Sequence, residues 1–335
     1  MMRSTRHFGA LAVGVAFSAL AAGAALADPA VIYDLGGKFD KSFNEAAYTG
    51  ATRWKEETGG NFVEFELTSD AQREQALRRF ADQGANPIVV MSFMWENVLP
   101  EIVDDYPDTN FVVIDTVVDK PNVQSLMFDE HTGSFLVGAI AAMKSETGNV
   151  GFVGGMDVPL IHRFYCGYAY GARAVNPDIK LQEAYTGTTP AAWNDPVTAG
   201  ELAKAQMDAG ADIVFAAAGG SGLGVLQAMA DAGKYGIGVD SNQNYLHPGN
   251  VLTSMLKRVD NAVYNSFVEA GDDATFTPGR RDLGLADEGV DYALDENNAD
   301  LISDEMKAKV DELKAGIIAG DVMVHDYYSD NDCPL

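Results

Sequence analysis

The chain has 335 residues, of which 47% are hydrophobic and 21% are charged, and this composition is typical of a globular protein with a full core. That length predicts two domains or lobes. The formal net charge of −26 argues against nucleic-acid binding, which needs a basic surface, and equally against docking on anionic lipid. We therefore expect a soluble protein with an acidic, solvated surface.

Residues 1–27 have the pattern of an export signal. Arg3 and Arg6 precede an uncharged run at 8–27, which is rich in Ala, Leu, Val and Gly and closes on the cleavage pattern Ala-Leu-Ala. A retained membrane anchor is the alternative, because the run is nearly long enough to span a bilayer. The many small residues, and the strand that follows almost at once, argue against it. No cysteine stands at the cleavage point, so we expect a free periplasmic protein that starts near Asp28, with no membrane insertion after cleavage.

The first third of the chain alternates strand and helix patterns, as βαβ units do. Helices are predicted at 42–57, 70–83 and 95–105. Strands are predicted at 30–35, 62–67, 87–91 and 111–114, and a further strand at 122–129 looks as if it leaves this first sheet. Parallel strands joined by helices need right-handed crossovers, which predicts a doubly wound sheet.

The same alternation begins again after a helix at 131–143. Strands are predicted at 148–153, 181–185, 213–217, 236–239 and 251–256, with helices at 159–174, 195–209 and 222–232 between them. Helices at 261–269 and 304–318 and a strand-like segment at 322–328 complete the chain. We expect an α/β protein of two similar doubly wound lobes joined by a hinge. The N-terminal lobe would comprise 28–126 plus about 257–283, and the C-terminal lobe 127–256 plus about 284–335, with a ligand cleft between them.

Four predicted strands end in a charged residue: Asp34, Asp115, Asp240 and Lys257. The carboxyl ends of parallel strands share one edge of the sheet, and open α/β sheets bind their ligands there. The alternative is structural, since an Asp after a strand often caps a helix or forms a turn. The four residues together, with aromatic residues near them, favour a shared ligand cleft between facing lobes.

The first strand leads into a glycine-rich turn at 36–45, which opens a helix. Ser42 and Glu45 have the spacing of a capping box, and Phe43 lies on the apolar stripe of its own helix, so both observations have a structural explanation. Capping does not explain Asp34 or Asn44. We interpret the turn as half of a ligand site, which supplies an acceptor, an aromatic face and an amide.

A second group of candidates lies in the C-terminal lobe. Trp193 follows a predicted strand in a loop, where we expect it to be a stacking wall of the cleft, with loop packing as the alternative. Asp195 and Pro196 fit the N-cap and first position of the next helix. Gly219 lies in a strand-to-helix turn that matches neither the Walker nor the dinucleotide spacing, so we expect close backbone approach to a neutral ligand.

Signals for an enzyme are poor. The five histidines are scattered without ligand spacing, and no zinc motif or nucleophile elbow occurs, so we expect no catalytic residue, no metal and no cofactor. Cys166 and Cys333 could pair in an oxidising compartment or remain two separate thiols, and the sequence leaves this open.

The motifs together resemble the basic membrane protein family, which are substrate-binding proteins of ABC importers similar to purine-nucleoside receptors. The resemblance rests on residues 34–44, whose sequence is Asp-Leu-Gly-Gly-Lys-Phe-Asp-Lys-Ser-Phe-Asn, and on the segments 111–115, 217–222 and 238–240. It implies a type I periplasmic-binding-protein fold, a nucleoside ligand, an ABC permease as partner and delivery by a monomer.

The resemblance also assigns roles to single residues. It implies that Phe43 and Trp193 stack on the two faces of a purine, with Trp193 standing where the family usually has Phe. The matched residues that would hydrogen-bond the base are Asp34, Asn44 and Asp115. Those that would hold the ribose are Gly219, Asp240 and Lys257. The alternatives are a receptor for a sugar or another small polar metabolite, a nucleoside-cleaving enzyme, and a membrane-retained sensory domain.

Overall fold

The computed structural model describes residues 27–270 and 275–335. The predicted signal segment therefore lies outside the described residues, apart from Ala27. Within the described part of the chain, no helix combines the length and the apolar character that crossing a membrane requires.

The strands alternate with helices as the sequence predicts. In chain order, the strands are β1 (Ala30–Tyr33), β2 (Val63–Glu66), β3 (Ile88–Val90), β4 (Phe111–Ile114), β5 (Val123–Phe128), β6 (Asn149–Met156), β7 (Lys180–Gly187), β8 (Ile213–Ala217), β9 (Tyr235–Asp240), β10 (Val251–Lys257), β11 (Gly279–Leu283) and β12 (Val290–Tyr292).

The helices follow the apolar stripes that repeat about every 3.6 residues. In chain order, they are α1 (Phe43–Thr58), α2 (Arg73–Asp82), α3 (Leu99–Ile102), α4 (Glu130–Lys144), α5 (Pro159–Val175), α6 (Pro196–Asp208), α7 (Gly222–Asp231), α8 (Val259–Ala270) and α9 (Asp304–Ala319).

The strands form two sheets of six with equivalent topology. The first has the order β2-β1-β3-β4-β5-β11 and is parallel throughout, and the second has the order β7-β6-β8-β9-β10-β12, in which only β12 is antiparallel. In each sheet the strand that comes first in the chain, β1 or β6, lies one position in from the edge. The next strand in the chain, β2 or β7, forms that edge, so the strand order reverses beside β1 and beside β6. Open α/β sheets place their ligands at such reversal points. The fold is the two-lobed α/β arrangement of type I periplasmic binding proteins.

Within residues 27–270 and 275–335, the chain passes between the two sheets three times. β5 leads through Asp129 into α4, which packs in the second lobe, and β10 leads through Arg258 into α8, which packs against α1 of the first lobe. The third passage is residues 284–289, between β11 and β12. We propose that these passages form the hinge and bound the lobes, which shifts the predicted boundaries by a few residues.

Both lobes bury the central strands on two faces. β1, β4, β5 and β8 are buried at every residue, as parallel strands covered by helices on both sides should be. The buried apolar side chains form one large cluster that includes residues of both lobes, and each lobe has a smaller cluster of its own.

Three predicted elements differ from the structure. The predicted helix at 95–105 is broken into short 3₁₀ turns and α3, where Pro100 removes a backbone donor. The predicted strand at 322–328 is irregular, because α9 ends at Gly320 and Val322 bonds back to the carbonyl of Gly316. The segment that seemed to leave the first sheet is β5, which remains in it.

The C-terminal segment, residues 321–335, is fastened along α5. Cys166 of α5 and Cys333 form a disulfide, which answers the question that the sequence left open. The Tyr170 hydroxyl donates to the carbonyl oxygen of Pro334 at 2.6 Å, and Asp326 pairs with Arg163. The segment therefore belongs to the second lobe and lies beside the helix that contributes to the cleft.

Candidate functional site

A cavity lies between the lobes at the carboxyl ends of the strands. Its free space is about 580 Å³, a volume that includes the part open to solvent. All eight residues that the sequence singled out line it: Asp34, Phe43, Asn44, Asp115, Trp193, Gly219, Asp240 and Lys257. The remaining lining residues are Leu35, Asp40, Ser92, Phe93, Leu160, Ile161, Phe164, Ala217 and Val239.

Three lining residues at or just after strand ends have left-handed backbone conformations. Ser92, Asp115 and Asp240 have φ angles of 95°, 72° and 62°, which residues other than glycine rarely adopt. Such conformations cost of order 1–3 kcal/mol each and cluster at binding and active sites. The backbone is therefore strained where β3, β4 and β9 deliver polar side chains to the cavity.

The turn before α1 is held by Asn44 and Asp40. The Asn44 side chain accepts from the backbone N–H of Asp34 at 3.0 Å and donates to the carbonyls of Asp34 and Gly37. Both of its amide protons are thus used within the turn. Asn44 lines the cavity, but its main structural role is to fix the turn that carries Asp34.

Asp40, rather than Ser42, caps α1. Its carboxylate accepts from the backbone N–H groups of Ser42, Asn44 and Glu45, at 2.8, 3.0 and 3.1 Å. The predicted capping box is therefore wrong, since the Ser42 hydroxyl donates to Asp240 of the other lobe and Glu45 accepts from Lys41. Burial raises the pKa of Asp40 to about 7, and the three backbone donors oppose this rise.

Asp34 forms a buried ion pair. Its carboxylate lies 2.5 Å from Nη2 of Arg73, which also contacts Asp70 and lies against the Trp95 ring. Both partners are almost fully buried, and a buried carboxylate without a cation would be costly. Arg73 thus allows a negative carboxylate to stand at the cavity wall.

Lys257 occupies the centre of a second buried ion cluster. Its ammonium lies 2.7 Å from the Asp115 carboxylate and 3.0 Å from Oε1 of Glu130, and the rings of Phe43 and Phe164 lie 5.2 and 5.8 Å away. Burial alone would lower the pKa of Lys257, but the surrounding carboxylates raise it above its ordinary value. The lysine is therefore a fixed positive charge in the cavity wall.

The carboxylates around Lys257 respond differently to their surroundings. Burial raises the pKa of Asp115 to about 6, although the Lys257 ammonium opposes it. Burial also raises the pKa of Asp240, again against Lys257. For Glu130, the two cations Lys257 and Arg163 outweigh the effect of burial and lower the pKa.

Both lobes supply aromatic side chains to the cavity wall, of which Phe43 and Trp193 were predicted from the sequence. Phe43 begins α1 in the first lobe, and Trp193 ends a 3₁₀ turn between β7 and α6 in the second. The indole lies against the backbone of Gly155, where an added Cβ would come within 2.2 Å of the ring. Glycine at 155 thus lets Trp193 approach β6 closely, and both aromatic residues are only half-buried.

The two lobes touch beside the cavity. The Ser42 hydroxyl donates to Asp240, the Ser241 hydroxyl donates to the carbonyl of Ser42 at 3.0 Å, and the Gln243 amide donates to the carbonyl of Lys41 at 2.9 Å. These contacts close the cleft along the turn that precedes α1.

Comparison with known proteins agrees with this geometry. The sequence profile of the Bmp family, described as ABC transporter substrate-binding protein PnrA-like, matches residues 27–326. The chain belongs to this family. The chain is 33% identical over 283 residues to an uncharacterized lipoprotein of Pyrococcus abyssi, a match that covers 78% of this chain and 68% of that protein. It is 31% identical over 307 residues to basic membrane protein A2 of Borrelia garinii subsp. bavariensis, covering 88% of each.

Solved structures support the same assignment. An ABC transporter solute-binding protein from Aeropyrum pernix K1 superposes with a TM-score of 0.80 and 29% identity, covering 89% of this chain and 92% of that one. As a Bmp-family member, the protein is an ABC transporter substrate-binding protein, and the predicted family is confirmed.

Sequence reasoning missed several residues of this Bmp-family cleft. Ser92 and Phe93 directly follow a strand that the sequence had located, so the rule that selected Asp34 and Asp115 could have found them. Phe164 carried no comparable signal, because it lies on the regular apolar face of α5. Arg73, Glu130 and Arg163 stand behind the lining residues, and their positions depend on tertiary packing.

Proposed function

We propose that the protein binds a neutral nucleoside, with a purine base, between its lobes and delivers it to the permease of an ABC transporter. The observation that carries this proposal is that Phe43 of the first lobe and Trp193 of the second both line a cavity that also has carboxylates and one ammonium. A planar base offers two faces for stacking and an edge for hydrogen bonds, and a ribose offers vicinal hydroxyls. The aromatic rings, carboxylates and ammonium that line the cavity complement these faces, this edge and these hydroxyls.

The charges favour a neutral ligand over a phosphorylated one. Lys257 is the only cation among the described lining residues, and it is already paired with Asp115 and Glu130. A phosphate would bring negative charge beside Asp34, Asp40 and Asp240 with no free cation to receive it. The nucleoside, rather than the nucleotide, therefore fits the cleft.

We further propose the roles that the family resemblance implies for single residues. The carboxylates of Asp34 and Asp115 would accept from the edge of the base, and Asn44 would chiefly hold the turn while offering its remaining acceptor capacity. Asp240 and Lys257 would hold the ribose hydroxyls, with Gly219 allowing its backbone to approach. Phe93 and Phe164 would add apolar contact at the rim of the stack.

The protein would act outside the cytoplasm as a monomer. Relatives carry the name lipoprotein, but both cysteines of this chain lie far from the predicted cleavage point and pair with each other. We therefore propose a periplasmic protein that is released by signal cleavage rather than anchored through a lipid. Mass spectrometry of the exported protein tests this proposal, because a lipid at the N-terminus would contradict it.

Calorimetric titration tests the ligand. The protein is unfolded, dialysed and refolded to remove copurified ligand, and then titrated with adenosine, guanosine, inosine, uridine, free ribose and guanosine 5′-monophosphate. We expect micromolar or tighter binding of the purine nucleosides and much weaker binding of ribose and of the nucleotide. Binding of a sugar alone, or of no nucleoside by a correctly refolded protein, would contradict the proposal.

A further inference from the structure

Glu130 stands behind the cavity and contacts both buried cations. It is the first residue of α4, directly after the passage from the first lobe to the second, and its side chain is 1% exposed. Oε1 lies 3.0 Å from the Lys257 ammonium, and Oε2 lies 2.5 Å from Nη1 of Arg163. Glu130 does not line the cavity, and Lys257 is the lining residue that its carboxylate contacts.

Arg163 ties this carboxylate to three parts of the chain. It lies on α5 and is 3% exposed, and its guanidinium donates to the carbonyl of Phe128 at the end of β5. The same guanidinium contacts Asp326 through two hydrogen bonds of 2.7 and 2.8 Å. Asp326 belongs to the C-terminal segment, which the disulfide holds against α5.

The resulting chain of charges runs from the C-terminal segment to the cavity wall. Its order is Asp326, Arg163, Glu130, Lys257 and Asp115, and each neighbouring pair lies within 3.0 Å. A lysine has a flexible four-carbon stem, and its ammonium goes where acceptors are fixed. Two carboxylates, Asp115 from the first lobe and Glu130 from the second, lie within 3.0 Å of this ammonium, which stands beside the Phe43 ring.

We propose that Glu130 is a positioning residue for ligand binding, which holds the Lys257 ammonium at the cavity wall and is itself oriented by Arg163 and Asp326. This inference rests on the proposed function, in which Lys257 contacts the ligand. Without Glu130, the ammonium would keep Asp115 as its one direct carboxylate partner in this cluster. It would then shift toward Asp115 and occupy acceptor capacity that the ligand needs.

A double-mutant cycle with adenosine and inosine tests this inference. At metal sites, loss of an outer partner of a binding group costs about 10–100-fold in affinity, and we expect the lower end, about tenfold, for Glu130→Gln. In a Lys257→Met background, the same change should cost no further affinity, because its effect passes through Lys257. An equal loss in both backgrounds would mean a merely structural role and would overturn the inference.

A milder variant guards against misfolding of Glu130→Gln. Asp326→Asn weakens the outer end of the chain and should reduce affinity less than Glu130→Gln does. Asp330→Asn is the matched control, because Asp330 lies in the same C-terminal segment, pairs with His325 and does not contact Arg163 in the structure. Equal affinities for Asp326→Asn and Asp330→Asn, alongside an unaffected Glu130→Gln, would overturn the inference.

NMR of isotope-labelled lysine separates this inference from the proposed function. The Lys257 side-chain resonance, assigned through Lys257→Met, should move in Glu130→Gln and stay in place in Asp330→Asn without any nucleoside present. An unchanged Lys257 resonance in Glu130→Gln would overturn the positioning role, whichever ligand binds. Absence of nucleoside binding by the wild type, with a shifted resonance, would instead contradict the proposed ligand and leave Glu130 as the group that positions Lys257.

Discussion

At the scale of single residues, Trp193 is the side chain on which the proposed ligand role depends most. The indole lies close to Gly155, and residue 219 beside Trp193 is also glycine, so at neither position does a side chain separate Trp193 from the backbone. Trp193 remains half-buried and lines the cavity. A large aromatic side chain held in this way is prepared for stacking before any ligand arrives.

Trp193→Ala should weaken nucleoside binding by about 1–3 kcal/mol, the range found when a stacking aromatic is removed from a nucleic-acid base. Trp193→Phe should retain most of the affinity, since it keeps a ring at the same wall. Calorimetric titration with adenosine and inosine measures both changes.

Gly155→Ala provides a complementary variant. Its methyl group would collide with the indole and displace the ring toward the cavity, so affinity should fall although no lining side chain is removed. Thermal unfolding controls for loss of the fold. Unchanged affinity in both Trp193→Ala and Gly155→Ala, with intact folding, would remove Trp193 from the site.

We expect Asp115 to make ligand binding depend on pH. In its proposed role the ionised carboxylate accepts from a ligand N–H or O–H, and burial raises the pKa of Asp115 to about 6. The ionised form is therefore minor at pH 5 and dominant at pH 7, so affinity should rise roughly tenfold over this window. Titrations at several pH values measure the rise.

Asp115→Asn is the control for this pH dependence. The variant should lose part of the slope but keep a shallower one, because burial also raises the pKa values of Asp40 and Asp240. An identical slope in wild type and variant would contradict the role of Asp115. The contribution of Asp115 to folding stability changes with pH in the opposite direction to its contribution to ligand affinity. The folded protein holds the Asp115 proton to higher pH than the unfolded chain does, so that contribution is present below about pH 4 and lost as the pH rises through about 6.

The residues also show how far the sequence could predict the site. The common position of Asp34, Asp115, Asp240 and Lys257 at the cavity could be predicted, because strand ends can be located from hydrophobic patterns, and parallel strands bring those ends together. The predicted capping role of Ser42 was wrong. The Ser42 hydroxyl contacts the other lobe, and such a contact cannot be predicted from the sequence of the helix that Ser42 precedes. Arg73 and Glu130 were not predicted for the same reason, because the residues that they pair with across the fold are distant in sequence.

At the scale of elements, β11 and β12, each at one edge of its sheet, were the least predictable strands. β11 contains two arginines and an aspartate, and β12 has only three residues, so neither has the apolar run of a central strand. Charged side chains are common on edge strands, where they discourage pairing with other molecules. The central strands were found within one to three residues of their observed ends, because they are buried and apolar.

The C-terminal segment depends on its covalent attachment to α5. The disulfide joins residues separated by 167 positions, and closing so long a loop restricts the unfolded chain strongly. We expect Cys333→Ser to lower the free energy of unfolding by about 2–4 kcal/mol. Urea denaturation of the wild type and the variant measures this difference.

Wild-type protein in the presence of a reductant is the control for the substitution itself. It should unfold at the lower urea concentration of Cys333→Ser, whereas the variant should not respond to the reductant. Equal stability of oxidised wild type and Cys333→Ser would show that the C-terminal segment is held by its other contacts, such as Asp326 with Arg163.

At the scale of the whole molecule, the structure is a closed clamp. Three passages of the chain connect the lobes, and the opposite rims meet through Ser42, Ser241 and Gln243. We propose that these rim contacts break and the hinge opens when a ligand of nucleoside size binds or leaves. Because both lobes carry aromatic lining residues, closure and stacking would then occur together.

A crystal structure of the stripped protein with the tightest-binding nucleoside tests the central claim most directly. We expect the base between Phe43 and Trp193, the ribose hydroxyls within hydrogen-bond distance of Asp240 and Lys257, and no water between the rings and the base. A base that lies outside these two rings, or a nucleoside bound away from the cleft, would contradict the claim that the two lobes form a nucleoside clamp.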